Sequence, residues 1–205
     1  MKERPILFSA PMVRAILEGR KTQTRRVVKP QGAILTDRMA RGLGVQPPPV
    51  QNSPVIPCPY GQPGDRLWVR EEFSGPHYKS KSPPSEWSES DPIWYWADGN
   101  PGSGDWTRPK PSIHMPRWAS RILLEVTGVR VEQLNEISEA DAKAEGAMFH
   151  DGRGIGHSGW RHDYKDVHAN ARSSFARLWE SINGHGSWEA NPFVWVIEFK
   201  RIDNA

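Results

Sequence analysis

The chain has a single cysteine, Cys58, in 205 residues, which excludes an intrachain disulfide and fits a reducing compartment. No apolar run is long enough to span a bilayer, and no hydrophobic stretch of the kind a secretion signal carries follows Lys2 and Arg4. A soluble, cytoplasmic protein with no membrane partner is expected. Neither a GxxxxGK[ST] phosphate loop nor a Gly-x-Ser-x-Gly elbow is present, so nucleotide triphosphatases and ordinary serine hydrolases drop out. His150, His157, His162 and His168 share a loop with Asp151, Asp163 and Asp166, but their spacing fits no familiar zinc site. No metal and no cofactor is assigned. Internal repeats are also lacking.

A composition of 37% hydrophobic and 25% charged residues supports one core, and the reading is a single domain over 1–205 with a monomer favoured. The nineteen prolines and eighteen glycines fall largely in three excursions, at about 31–62, 75–117 and 147–170, whose lengths exceed ordinary connections. Ten tryptophans are more than such a core needs, so some indoles are available as stacking surfaces. Trp87, Trp94, Trp96, Trp106 and Trp118 are interleaved with Lys79, Lys81, Arg108, Lys110 and Arg117. That pattern reads either as a base-stacking wall with phosphate anchors or as indoles that hold the second excursion down. Cys58, among prolines, reads as an inert thiol.

Hydrophobic periodicity predicts strands over 5–9, 66–73, 121–134 (one strand bent at Gly128 or two in succession) and 192–202, with a short hairpin over 93–97. It predicts helices over 10–18, 138–145 and 171–182. Pro11 suits the first turn of the first helix and Gly19 its end; Ser138 caps the second and Gly146 closes it. Residues 148–168 read as loop. Strands dominate and helices are short, so the fold class is α+β, mainly β: a small, mostly antiparallel β-barrel with helices plugging its ends, an open α+β sheet being the runner-up.

The net charge of +3 and pI near 9.1 are mild, yet basic residues concentrate locally. Arg14, Arg20, Lys21, Arg25, Arg26 and Lys29 face only Glu18 between positions 14 and 29, a footprint suited to an anionic ligand. Within it, Gly19-Arg20-Lys21-Thr22-Gln23-Thr24-Arg25-Arg26 brings an amine beside two hydroxyls. Deprotonating a lysine of ordinary pKa at neutral pH costs about 4.6 kcal/mol, and flanking guanidinium groups reduce that cost. A neutral Lys21 can then act as base to a threonine hydroxyl. An extended chain places Lys21 and Thr24 on opposite faces, so their cooperation requires a bend near 22–23. A solvated basic turn is the alternative. Glu145, at the end of the second helix, reads either as a carboxylate that orients Lys21 or as a charge facing water; spacing leaves both open.

Four blocks together resemble a known family. They are Ile16-Leu17-Glu18-Gly19-Arg20-Lys21-Thr22-Gln23-Thr24-Arg25-Arg26; Gly64-Asp65-Arg66-Leu67-Trp68-Val69-Arg70-Glu71; Ile137-Ser138-Glu139 through Ala144-Glu145-Gly146; and Val194-Trp195-Val196-Ile197-Glu198-Phe199. In this order they resemble ASCH-domain proteins, a branch of the PUA-like superfamily, and in particular the larger versions that bacteriophages and prophages encode. The resemblance implies a PUA-like β-barrel and a function tied to RNA or nucleosides. Small bacterial members are amidohydrolases that remove the acetyl group of N4-acetylcytidine, and a related member is a ribonuclease. The catalytic lysine, threonine and glutamate of the amidohydrolases map onto Lys21, Thr24 and Glu145. The three excursions have no counterpart in the small members, and Gln23 and Arg25 stand where those are more apolar, which implies a different or larger substrate.

The function expected is hydrolysis of a modified nucleobase or nucleoside by acyl transfer. Arg20, Thr22, Arg25, Arg26, Arg117 and Trp118 are the expected binding residues. A noncatalytic RNA- or DNA-binding module and a single-stranded RNA ribonuclease are the alternatives. The expected partner is a nucleoside or a single-stranded nucleic acid, RNA before DNA.

Overall fold

The computed structural model describes residues 1–29, 57–151, 158–162 and 167–202; most of the first excursion, and His157, Asp163 and Asp166, lie outside the described residues. In chain order the elements are β1 (Glu3–Leu7), α1 (Ala10–Leu17), β2 (Gln23–Val27), β3 (Arg66–Arg70), β4 (Phe73–Ser74), β5 (Trp94–Tyr95), β6 (Leu123–Gln133), α2 (Glu139–Ala144), β7 (Met148–His150), β8 (Gly159–Arg161), α3 (Ala171–Asn183) and β9 (Phe193–Ile202). Strands outweigh the short helices, and the fold class is α+β, mainly β.

The main sheet has five strands in the order β1-β3-β6-β9-β2. β1 runs parallel to β3, and the other neighbours are antiparallel. Neighbouring strands lie about 4.8 Å apart, so the edges of a flat five-stranded sheet would stand roughly 19 Å from each other. Here Arg26, on edge strand β2, donates through Nη2 to the carbonyl of Leu7 on the other edge strand, at 2.9 Å. One side chain bridges both edges, so the sheet is rolled into a small barrel-like body. Its backbone ladder stays open between β1 and β2. Ile6, Leu67, Val69, Leu124, Val126 and Ile197 fill the interior, with Phe8, Val13 and Ile16 from the α1 side packed against them.

β9 is buried on both faces, which accounts for its nearly continuous apolar run. Trp195, Ile197 and Phe199 enter the barrel interior. Val194 and Val196 point the other way and pack under α2 and α3 with Ala142, Phe175 and Trp179. The pairing of β6 with β9 shifts register between Val126 and Gly128. A Cβ on Gly128 would lie 2.6 Å from Glu198 Oε2, so the glycine accommodates both the bulge and the carboxylate.

Helix ends follow the sequence signals. Pro11 lies in the first turn of α1, and Gly19 leaves it at φ 73. Ser138 Oγ accepts from Asp141 N at 3.0 Å at the start of α2, and Asn170 Oδ1 accepts from Ser173 N at 2.7 Å at the start of α3.

Three expectations need correction. The strand predicted over 66–73 ends at Arg70 and resumes as β4, because Glu71 turns into a bidentate pair with Arg121 (2.9 and 3.0 Å). The hairpin predicted over 93–97 is not local: Trp94 and Tyr95 pair with Ser74 and Phe73, and residues 96–98 form a 3-10 turn. Residues 148–168, read as loop, contain the β7–β8 ladder, on which Phe149 and Trp160 meet edge to face at 5.6 Å. Each depends on a partner distant in sequence that local pattern does not reveal.

The indoles of the second excursion are engaged by neighbouring groups, Trp87 and Trp118 within a satellite core. Trp87 packs edge-on to Phe73 at 5.7 Å, beside Met115 and Ala119. Trp96 Nε1 donates to Ser74 Oγ (2.9 Å), Trp94 Nε1 to Gly99 O (3.0 Å) and Trp106 Nε1 to Ser103 O (3.1 Å).

Candidate active site

The basic motif leaves α1 and becomes β2 through a change of partner. Arg20 N and Lys21 N both donate to Ala15 O at 2.9 Å, and Thr22 N donates to Ala144 O at 2.9 Å. Thr22 O then accepts from Phe199 N at 2.8 Å, and from Gln23 onward the chain pairs with β9. Lys21 therefore forms a bridge with Glu145 before the strand begins. The chain thus changes partner from α2 to β9 between Thr22 and Gln23.

Glu145 is the hub. Its Oε2 accepts from Lys21 Nζ at 2.7 Å and its Oε1 from Arg25 Nη1 at 3.0 Å, while its backbone carbonyl also accepts from Lys21 Nζ at 3.0 Å. The Lys21 and Arg25 side chains have no solvent exposure and that of Glu145 has 2%, so the pairing is desolvated rather than a surface ion pair. Burial pushes the Lys21 amine below the ordinary lysine range. Glu145 opposes that shift, and Arg26 and Arg25 reinforce it. A neutral amine has two N–H donors and one lone pair; both donors are matched by Glu145, which leaves the lone pair to accept a proton.

Arg25 extends the hub outward. It donates through Nε to Glu132 Oε1 at 3.0 Å, and its Nη2 lies 3.5 Å from Asp141 Oδ2. Arg130 then pairs with Glu132 Oε2 (3.1 Å) and Asp141 Oδ1 (3.2 Å), and with Glu198. The Ser138 hydroxyl and the nearby Arg25 and Arg130 cations hold the Asp141 carboxyl below the usual range against the effect of its burial. Gln23 Nε2 donates to Asp141 O at 2.9 Å.

Thr24 takes the opposite parity. It is buried at 1% exposure, and its Oγ1 accepts from Arg26 Nη1 at 2.8 Å, a contact that favours the alkoxide. Lys21 Nζ and the Arg26 guanidinium lie 5.7 and 5.3 Å from the Phe8 ring centroid. Thr24, Arg25, Arg26 and Glu145 line one side of a cavity of about 410 Å³, and Phe175, Leu178, Trp179 and Ile182 of α3 line the other. The volume falls within the ordinary range of small-molecule sites. A smaller cavity of about 220 Å³ shares Ser9, Met12, Glu145, Leu178 and Ile182 with it and reaches His162, whose Nδ1 is 2.8 Å from Ser174 Oγ.

Of the residues singled out from sequence, Lys21 and Arg25 meet on Glu145, Arg26 bonds to Thr24, and Thr24, Arg25, Arg26 and Glu145 share the cavity wall. Arg20 lies at the margin, bonded to Glu18 Oε2 (2.7 Å) and Gly146 O (2.5 Å), and Thr22 is exposed. Arg117 and Trp118 are elsewhere: Arg117 pairs with Glu3 Oε2 at 3.0 Å, and Trp118 packs on the satellite core. Among the described residues no group of three or more His, Cys, Asp or Glu is placed to hold a metal ion.

The α3 wall was not singled out from sequence, because an apolar helical stripe looks the same whether it faces packed side chains or a hollow. Glu132 was not singled out either; its position opposite Arg25 arises from β6 and β2 both flanking β9.

No protein-family model and no curated protein matches the chain. Two solved structures are similar to it. One is a protein of Enterococcus faecalis V583 described by the family model DUF984, 11% identical, with a TM-score of 0.41 over 99% of this chain and 82% of that one. The other is an ASCH domain from Lactobacillus crispatus JV V101, 12% identical, with a TM-score of 0.37 over 99% of this chain and 81% of that one.

Proposed function

We propose that this protein is a hydrolase that removes an acyl group from the exocyclic amine of a modified nucleobase or nucleoside, such as N4-acetylcytidine. The observation that carries the reading is a threonine hydroxyl on the wall of the cavity that also meets Glu145, whose carboxylate is shared by a buried lysine and a buried arginine. In the reaction, neutral Lys21 accepts the Thr24 proton as Oγ1 attacks the amide carbonyl. Arg26 stabilises the developing negative charge. The C–N bond breaks, the proton passes by way of Glu145 to the departing amine, and water cleaves the acyl-threonine ester to free acid and Thr24.

A noncatalytic nucleic-acid module would use Lys21 and Arg25 as phosphate contacts. Their fully buried side chains, committed to Glu145, favour the hydrolase reading.

The test is acetate release from N4-acetylcytidine, followed by mass. Lys21→Ala and Thr24→Ala are each expected to lower the rate by about 100-fold or more with the fold retained, since positioned acid–base and nucleophilic groups contribute on that scale. No acetate from any N4-acylated nucleoside, or full activity in Thr24→Ala, refutes it. Cleavage of unmodified single-stranded RNA that persists in Thr24→Ala supports the ribonuclease instead.

A further inference from the structure

Arg25 is a fully buried cation held between two carboxylates. On one side its Nη1 donates to Glu145 Oε1 at 3.0 Å. On the other, its Nε donates to Glu132 Oε1 at 3.0 Å, and Nη2 meets the same oxygen. Glu132 comes from β6, its side chain is 15% exposed, and it lines neither of the two cavities described above. What it does to the site it therefore does through Arg25.

The inner charges balance around a neutral Lys21 only when Glu132 is counted. Arg25 and Arg26 face Lys21 from β2, and Glu145 faces it from the end of α2. With the amine neutral, the two arginines are matched by Glu145 and Glu132. Without Glu132, Glu145 alone would face both arginines, and a proton arriving on Lys21 would meet uncompensated positive charge in a desolvated place. The other charged and titratable groups lie around this core. The Tyr60 side chain hydrogen-bonds Arg26. Asp141 Oδ2 is 3.5 Å from Arg25 and its Oδ1 is 3.2 Å from Arg130. Arg130 also pairs with Glu132 Oε2 at 3.1 Å and with Glu198, and His162 shares the smaller cavity with Glu145.

We propose that Glu132 is a positioning residue: it holds Arg25 against Glu145 and, by sharing the charge of the arginine, leaves Glu145 able to keep Lys21 basic enough to take a proton. The inference rests on the hydrolase reading for its catalytic consequence and deepens it, because it assigns what tunes the base. An amine pushed too far down is neutral at pH 7 but accepts a proton weakly in the transition state.

The experiment separates charge from shape. Glu132→Gln keeps an oxygen for Arg25 Nε and removes the charge, whereas Glu132→Asp keeps the charge on a shorter stem. In each variant the Lys21 amine is titrated through its Cε carbon resonance, and kcat/KM on N4-acetylcytidine is followed against pH. A unit charge removed about 10 Å away moves a titration by roughly one unit at the effective dielectric of a protein. Glu132→Gln is accordingly expected to move the Lys21 titration, and the limb of kcat/KM with it, to lower pH by about one unit and to lower the plateau about threefold. Glu132→Asp should restore most of that shift. Arg130→Gln, at a side chain 38% exposed, removes the cation on the outer side of Glu132 and should move the titration the other way. A titration in Glu132→Gln that coincides with the wild type, or an equal shift in Glu132→Asp, overturns the assignment. Should Glu132→Gln fail to fold, Arg130→Gln decides: a rise upholds the assignment, and a fall or no change overturns it. If the wild type releases no acetate while the Lys21 titrations move as expected, the hydrolase reading fails and the control of Lys21 by Glu132 stands.

Discussion

Replacing Glu145 by glutamine should damage the fold more than replacing Lys21 by methionine, although both remove one charge from the same pair. The Glu145 oxygens accept from Lys21 at 2.7 Å and from Arg25 at 3.0 Å, with all three side chains at 2% exposure or less. Glutamine keeps the shape but turns one acceptor into an NH2 donor, so either Lys21 or Arg25 faces another donor and both lose their shared counter-charge. Removing one partner of a buried pair costs about 3–5 kcal/mol. The lower end, about 3 kcal/mol, applies here because Lys21 can shed its proton and Arg25 keeps Glu132. In Lys21→Met the stem is replaced by apolar atoms of similar volume, and Glu145 keeps Arg25, so the cost is about 1 kcal/mol. For a chain of this size each kcal/mol moves the midpoint by about 2–4 °C, which gives a fall of about 6–12 °C for Glu145→Gln and about 2–4 °C for Lys21→Met. Thermal unfolding by circular dichroism, with urea titrations to confirm an unchanged m-value, measures both. Equal losses, or a larger one in Lys21→Met, would refute the placement of Glu145 as the shared acceptor.

Two further outcomes are expected. Burial lowers Lys21 from its ordinary 10.5, so between its folded value and 10.5 the unfolded chain binds more protons, and the contribution of Lys21 to stability rises with pH across that window. Stability measured against pH should lose this slope in Lys21→Met, and under the hydrolase reading kcat/KM should rise with pH along a limb that lies below 10.5; a stability profile unchanged in Lys21→Met, or a limb at the ordinary lysine value, contradicts a lowered amine. Gly146 sits at φ 106, and an added Cβ would meet Ala15 Cβ at 3.0 Å and Lys21 Cβ at 3.3 Å, so Gly146→Ala should cost about 1–3 kcal/mol. Gly19 also has a positive φ, of 73, but open space around it, so melting curves in which Gly19→Ala is as harmful as Gly146→Ala would show that the contact with Lys21 does not matter.

Much of the fold was legible wherever the signal was local. Pro11, Gly19, Ser138 and Gly146 mark helix ends because capping is decided within a few residues. The long strands of the rolled sheet were legible because a strand with a buried face alternates and one buried on both faces, such as β9, is continuously apolar. The hairpin predicted over 93–97 and the loop predicted over 148–168 failed for the converse reason: Trp94 and Tyr95 pair with Ser74 and Phe73, and β7 with β8, through partners that neither segment specifies.

The candidate site divides along the same line. The chemistry of its residue types, a lysine and a threonine three positions apart among arginines, belongs to the sequence, because it depends only on which functional groups are present and how long the chain between them is. That Glu145, 124 residues from Lys21, lies in hydrogen-bond contact with it was decided by tertiary structure alone. The same holds for Arg25 meeting Glu132 instead of phosphate, and for an apolar helical face bounding a hollow. Burial, sharing of a carboxylate and the shape of a cavity are properties of surfaces brought together from distant parts of the chain, and no local pattern of side chains encodes the distance between them.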